Sequence, residues 1–281
     1  MMLATGHPTV AGSRGSSERI APGPAALLLF GLGFQIALAI PGLVGLFIDD
    51  RLLNGVSVWD KPLKFELALA VNYVTLLFLM RVLVPSGHFR PRLRLAALIV
   101  TVTSTYEIAY ITLQASRGLA SHFNFSSPIA SIAYSLMGLG ATALVGGIFL
   151  FGLEFAAMTV PPGSQGLRLG AILGLCLGAV LTLATAAIMS SQTISVGHWV
   201  GGALSDAKGL PLVGWSTTGG DLRVPHFFAT HMMQALPILG FAADRVAPRS
   251  AKIIVLAGAV VASLMVVATF VQAATGHPLF G

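Results

Sequence analysis

LRLGAILGLCLGAVLTLATAAIMSS, residues 167–191, decides the fold. Its one charged side chain is Arg168, at the second position. At 1.5 Å per residue, a helix of this length crosses the roughly 30 Å hydrocarbon core of a bilayer. Gly170, Gly174 and Gly178 recur every four residues and share one helical face. That spacing lets two helix backbones approach closely in lipid. The stretch predicts a membrane-spanning helix with a close partner.

Apolar runs of similar length lie on both sides of it, at about residues 25–48, 61–84, 93–115, 128–158, 224–243 and 252–274. The first is expected to bend at Pro41, and the fourth is long enough to tilt. Composition agrees. The 281 residues are 55% hydrophobic and only 9% charged, whereas soluble domains carry roughly 25% charged residues. The expected fold is an all-α polytopic membrane bundle of about seven transmembrane helices. Residues 1–21, polar and rich in Gly and Ser, read as a disordered cytoplasmic tail. Residues 22–281 read as a single transmembrane domain with one long outer loop at 192–222.

The net charge of +6 belongs to the loops of such a protein and implies no nucleic-acid partner. Lys and Arg are denser on the side holding the N-terminal tail and the 2–3, 4–5 and 6–7 connections. The N-terminus is therefore expected in the cytoplasm and the C-terminus outside, in an inner or plasma membrane of bacterial type. The single cysteine, Cys176, excludes an intrachain disulfide and a cysteine-rich metal site.

With that topology, the unusual polar residues gather on the outer side. Lys61 and Lys64, with Asp60 and Glu66, open the second helix. Glu107, Tyr110 and Gln114 share a face of the third helix, which Arg117 continues outwards. His122 and Asn124 come after it. The outer loop carries His198, Asp206, Asp221 and Arg223, and the stretch 215–234, WSTTGGDLRVPHFFATHMMQ, leads into the sixth helix with His226, His231 and Gln234. His226 and His231 are five residues apart, about 140° around a helix, so one helix cannot turn both to one metal. His231 and Gln234 share a face. A carboxylate in the hydrocarbon region must be paired, protonated or facing water, which singles out Glu107.

These positions predict a site in the outer half of the bilayer, with the glycine-rich loop folded over it as a lid. Glu107 and His231 are the expected proton-handling groups. Lys61, Lys64, Gln114, Arg117, Asn124, Asp221, Arg223 and Gln234 are expected to hold a lipid, a quinone or another amphipathic anion. His122, His198, His226 and His231 are the expected ligands of a transition metal (Zn, Fe or Cu) or haem, since neutral imidazole suits these ions. The leading expectation is a membrane-integral enzyme, an oxidoreductase or hydrolase. A proton-coupled transporter or small-molecule binder, and an accessory subunit with an oligomeric partner, are the alternatives. A retinal-binding lysine in the middle of the last helix is missing, because Lys252 stands at its start. The pair His226-x-x-x-x-His231 also departs from the His-x-x-x-His spacing of the membrane hydrolases.

Overall fold

The computed structural model describes residues 23–84, 90–159 and 161–281. The N-terminal tail and His88 lie outside them. Seven helices run in order: α1 (Pro24–Ile48), α2 (Asp60–Leu83), α3 (Pro91–Ser116), α4 (Pro128–Ala157), α5 (Gln165–Ser191), α6 (Arg223–Val246) and α7 (Ala251–Ala274). All but α6 are long and apolar enough to cross a membrane. α6 packs along α5 for most of its length, so the chain is an all-α polytopic bundle of seven helices.

Local chemistry sets the helix ends. Pro24, Pro91 and Pro128 start α1, α3 and α4, where a missing N–H costs nothing and φ is already helical. Ser127 Oγ accepts from the Ala130 N–H, 3.1 Å, and caps α4. Two caps come from neighbouring helices. Asp244 of α6 accepts from the N–H groups of Gly166 and Leu167, 2.7 and 2.8 Å, at the start of α5. Arg168 of α5 donates to the Phe155 and Ala156 carbonyls, 3.1 and 2.5 Å, at the end of α4. Each ion meets the helix-dipole end of opposite sign.

The glycine face of α5 meets α6 as its spacing requires. A Cβ added at Gly174 would lie 2.7 Å from the Met232 carbonyl oxygen, and one at Gly178 3.1 Å from that of Ala229. Gly170 lies against the Leu236 carbonyl, and Gly166 and Gly240 face each other. On α4 a close approach is made by Gly147, against Val100 and Ile99 of α3. Gly138 and Gly146 have nothing within 4 Å of an added Cβ and serve no packing contact among the described residues. The core between α2, α3, α4 and α5 is filled by Tyr73, Leu76, Leu79, Val100, Phe151 and Phe155.

At the end where α2 and α6 begin, two small antiparallel pairs extend the bundle. β1 (Leu52–Leu53) and β2 (Val56–Ser57) form a hairpin. β3 (Trp199–Val200) pairs with β4 (Gly220–Asp221), Trp199 opposite Asp221. The hairpin turn is Asn54–Gly55, both at positive φ, the arrangement that suits a two-residue hairpin. The Asn54 carbonyl accepts from the Asp206 N–H, 2.9 Å, and from Ser205 Oγ, 3.2 Å, fastening the 192–222 loop to the hairpin. β4 lies against the end of α7, where Gly220 contacts the Ala273 carbonyl too closely to admit a side chain. The loop is thus a folded cap across the end of the bundle where α2 and α6 begin and α7 ends.

Candidate functional site

Three groups of polar residues occupy the loop end of the bundle. The first is in the cap. Arg223, at the start of α6, forks onto Asp221, with Nε 3.0 Å from Oδ1 and Nη2 2.6 Å from Oδ2. Its Nη2 also donates to Asp206 Oδ1, 2.7 Å, and to the Gly214 carbonyl, 2.7 Å. Asp206 Oδ1 in turn stands 3.3 Å from His198 Nε2. Burial pushes the His198 imidazole below its ordinary value, and Arg223 adds to that, against the opposing pull of Asp206. Burial would raise the Asp206 carboxyl, but His198 and Arg223 outweigh it and hold the group below its usual range. Asp221 is buried and also accepts the Ser216 N–H, 3.0 Å. Every charge in this knot has a partner, so it locks the cap. Lys64 pairs with Asp60, 2.7 Å, at its edge.

The second group lies beneath the cap. Glu107 of α3 is 4% exposed, and its Oε1 stands 3.9 Å from His122 Nε2. The His122 ring packs 5.7 Å from Phe65 and 6.1 Å from Tyr134. Lys61 Nζ reaches the same Phe65 ring at 5.8 Å and lies in the field of Glu107, Arg223 and Asp206. Burial, with the nearby Lys61 charge second, holds the His122 imidazole well below its ordinary value. It is therefore neutral at pH 7, when it can accept a proton or donate one from a single nitrogen. Lys61, Glu107 and His122 come from α2, α3 and the α3–α4 connection; Lys61 and His122 meet at the Phe65 ring, and Glu107 stands beside His122.

The third group is on α6. His226 Nδ1 contacts Thr185 Oγ1 of α5, 3.2 Å. His231 Nδ1 stands 3.2 Å from Gln234 Oε1, beside the Phe227 ring at 4.1 Å.

Several expected site residues have local structural roles. Gln114 and Arg117 bond to each other, 3.2 Å, and Gln114 Nε2 donates to the Ala120 carbonyl, finishing α3. Asn124 Nδ2 donates to that same carbonyl, 2.9 Å, and its Oδ1 accepts from Ser126. The expected ligand set of His122, His198, His226 and His231 does not assemble, and this corrects the sequence reading. No three His, Cys, Asp or Glu side chains among the described residues could hold a metal ion together. The reason is geometric: each imidazole belongs to a different element or helical face and has its own neighbour. These four residues do not together form a site for a Zn, Fe or Cu ion.

Sequence reasoning passed over two groups that the fold makes prominent. Asp206 was one acid among several in a glycine-rich loop, and it ties His198 to Arg223. Gln35 is 1% exposed in α1, with neither its oxygen nor its nitrogen hydrogen-bonded. Its signal was present, because it is the one strongly polar side chain in an otherwise apolar span. Glu66 of α2 is similar. Its Oε1 accepts from Thr112, 3.4 Å, while its buried Oε2 has no partner.

Compared with known proteins, the chain matches no family model, no curated protein and no solved structure.

Proposed function

We propose that the Lys61–Glu107–His122 group is a membrane-embedded acid–base site that binds an amphipathic anionic molecule and couples its binding or passage to a proton. The observation that carries this is the 3.9 Å approach of Glu107 to His122 with Lys61 over the shared Phe65 ring. Lys61 supplies the positive charge for an anionic head, and Phe65 and Tyr134 supply apolar surface for the hydrocarbon body attached to that head. Glu107 and His122 exchange the proton. Ionisable groups placed inside a membrane commonly mark such paths. An acid–base enzyme is the second reading, favoured by the same carboxylate–imidazole approach, which resembles the pairing of a general base with its orienting group.

The test is calorimetric, on the full chain in nanodiscs with an alkylphosphonate as probe. Titrations in two buffers of different ionisation enthalpy report proton uptake directly. Buffer-dependent heat is expected for the native protein. K61Q should weaken binding by about tenfold, the value of one lost charge-assisted contact. E107Q should bind with the proton uptake removed. Identical heats in both buffers for the native protein would refute the coupling.

We further infer that the loop end faces away from the cytoplasm. The opposite end carries Arg81, Arg90, Arg92, Arg94, Arg245, Arg249 and Lys252. Arg51, Lys64 and Arg223 at the loop end are held by Asp49, Asp60, and Asp206 with Asp221.

A further inference from the structure

His231 and Gln234 sit on a face of α6 that the bundle leaves open. Phe227, His231, Gln234, Ile238 and Phe241 recur at intervals of four and three residues, so they form one stripe. On α2, the residues Lys64, Ala68, Val71, Thr75 and Phe78 repeat the same intervals. The two stripes run side by side in the same direction, and the ends of each are accounted for. At the far end Phe78 meets Phe241 edge-on, with centroids 5.4 Å apart. At the loop end the 210–215 turn stands between them. A Cβ on Gly214 would be 3.2 Å from Lys64 Nζ, and Trp215 packs on Phe227 with centroids 5.3 Å apart. Between these closures the stripes are uncovered: Val71 is 38% exposed and Ile238 66%. The result is a lateral window between α2 and α6, in a part of the bundle that faces lipid.

The polar atoms in this window point to a ligand. His231 lies eight residues into α6, roughly 12 Å below its start. Gln234 Oε1 accepts from His231 Nδ1–H. This leaves His231 Nε2 as a bare acceptor and the Gln234 amide as a donor. Neither meets a hydrogen-bond partner among the described residues. A polar group in hydrocarbon without a partner is strongly unfavourable, because no water is there to satisfy it. One acceptor beside one donor is the complement of a hydroxyl, which gives its proton to the imidazole and accepts from the amide.

We propose that the α2–α6 window binds a membrane-soluble molecule bearing an alcohol or phenol. Its hydroxyl is held between His231 Nε2 and Gln234 Nε2, and its apolar body lies along Val71, Thr75 and Ile238. This site is separate from the Lys61–Glu107–His122 group and stands whether or not that group carries a proton.

A photoreactive long-chain alcohol and its methyl ether, used on the full chain in proteoliposomes, test the proposal. The alcohol should label peptides covering residues 67–78 and 227–241. The ether, which cannot donate, should label them roughly fivefold less, as expected for one lost net hydrogen bond. H231F should reduce alcohol labelling similarly, and Q234L provides a second, milder variant should H231F misfold. Equal labelling by alcohol and ether, or labelling unaffected by both variants, would overturn the proposal. So would a disulfide-linked dimer of I238C in a C176S background, since it would show that a second copy covers this face.

Discussion

Arg223 is the residue on which the cap depends most. It donates to two carboxylates and one carbonyl, and its removal strands Asp221, whose side chain is 1% exposed. Breaking a buried ion pair from one side typically costs roughly 3–5 kcal/mol, because the remaining charge is left without compensation. R223A should therefore destabilise the cap by an amount in that range, seen as rapid proteolysis within residues 200–215. D221N combined with R223A should recover part of the loss. R223K, which keeps the charge but lacks the fork, should fall between. His198 adds a pH dependence to the same knot. Its folded-state value lies below the ordinary one, so the folded cap favours the neutral imidazole. The associated stability is fully present above about pH 6.5, the unfolded value, and is lost as pH falls through the lower folded value. Proteolysis of the cap should accelerate from pH 7 to pH 5, and H198Q should flatten that profile. The importance of Arg223 was legible from its position at the mouth of a membrane helix, whereas its partner Asp206, 17 positions away, depends on how the loop folds back.

Among the elements, the helices were the legible part, because a bilayer imposes length and apolarity on every span. The boundaries in the fold lie within a few residues of the apolar runs. The glycine face of α5 was equally readable, since a repeat of four has one meaning in lipid. Its partner was not, because spacing says that a backbone approaches but not which one. G174V should destabilise the bundle by roughly 1–3 kcal/mol, towards the upper end, because the obstructing atom is a carbonyl of α6 that cannot swing aside. Unfolding titrations in mixed micelles would measure it. G146A, with nothing within 4 Å, should be neutral or stabilising by up to about 1 kcal/mol, as alanine is the better helix former. The small sheet pairs went unread. Asn54–Gly55 is a strong hairpin signal, but it sits between strands only two residues long and was overshadowed by the spans beside it. The four histidines failed as a set for the opposite reason. Their residue type fits a metal, but only the fold fixes whether imidazoles on α6, the cap and the α3–α4 connection turn towards one another.

At the scale of the whole molecule, the two ends are built differently. The loop end is cross-linked between distant parts of the chain. Arg51 of the hairpin pairs with Asp49 and donates to the Ser116 carbonyl at the end of α3, 3.0 Å, while Trp59 donates to Asp49, 2.8 Å. The Arg51 and Trp59 hydrogen bonds hold the Asp49 carboxyl below its usual range. Gln272 near the end of α7 donates to the Pro278 carbonyl, 2.6 Å, drawing the C-terminus into the same layer. Three cations at this end, Arg51, Lys64 and Arg223, are thus neutralised by carboxylates, whereas most at the other end project without an acidic partner among the described residues. Unneutralised Lys and Arg in short flanks resist translocation, which is the physical ground for the proposal that the second end faces the cytoplasm. The C-terminus lies in the cross-linked layer. A C-terminal alkaline phosphatase fusion should be active and a C-terminal green fluorescent fusion dark. The reverse pair of results would put the cap, and both proposed sites beneath it, on the cytoplasmic side.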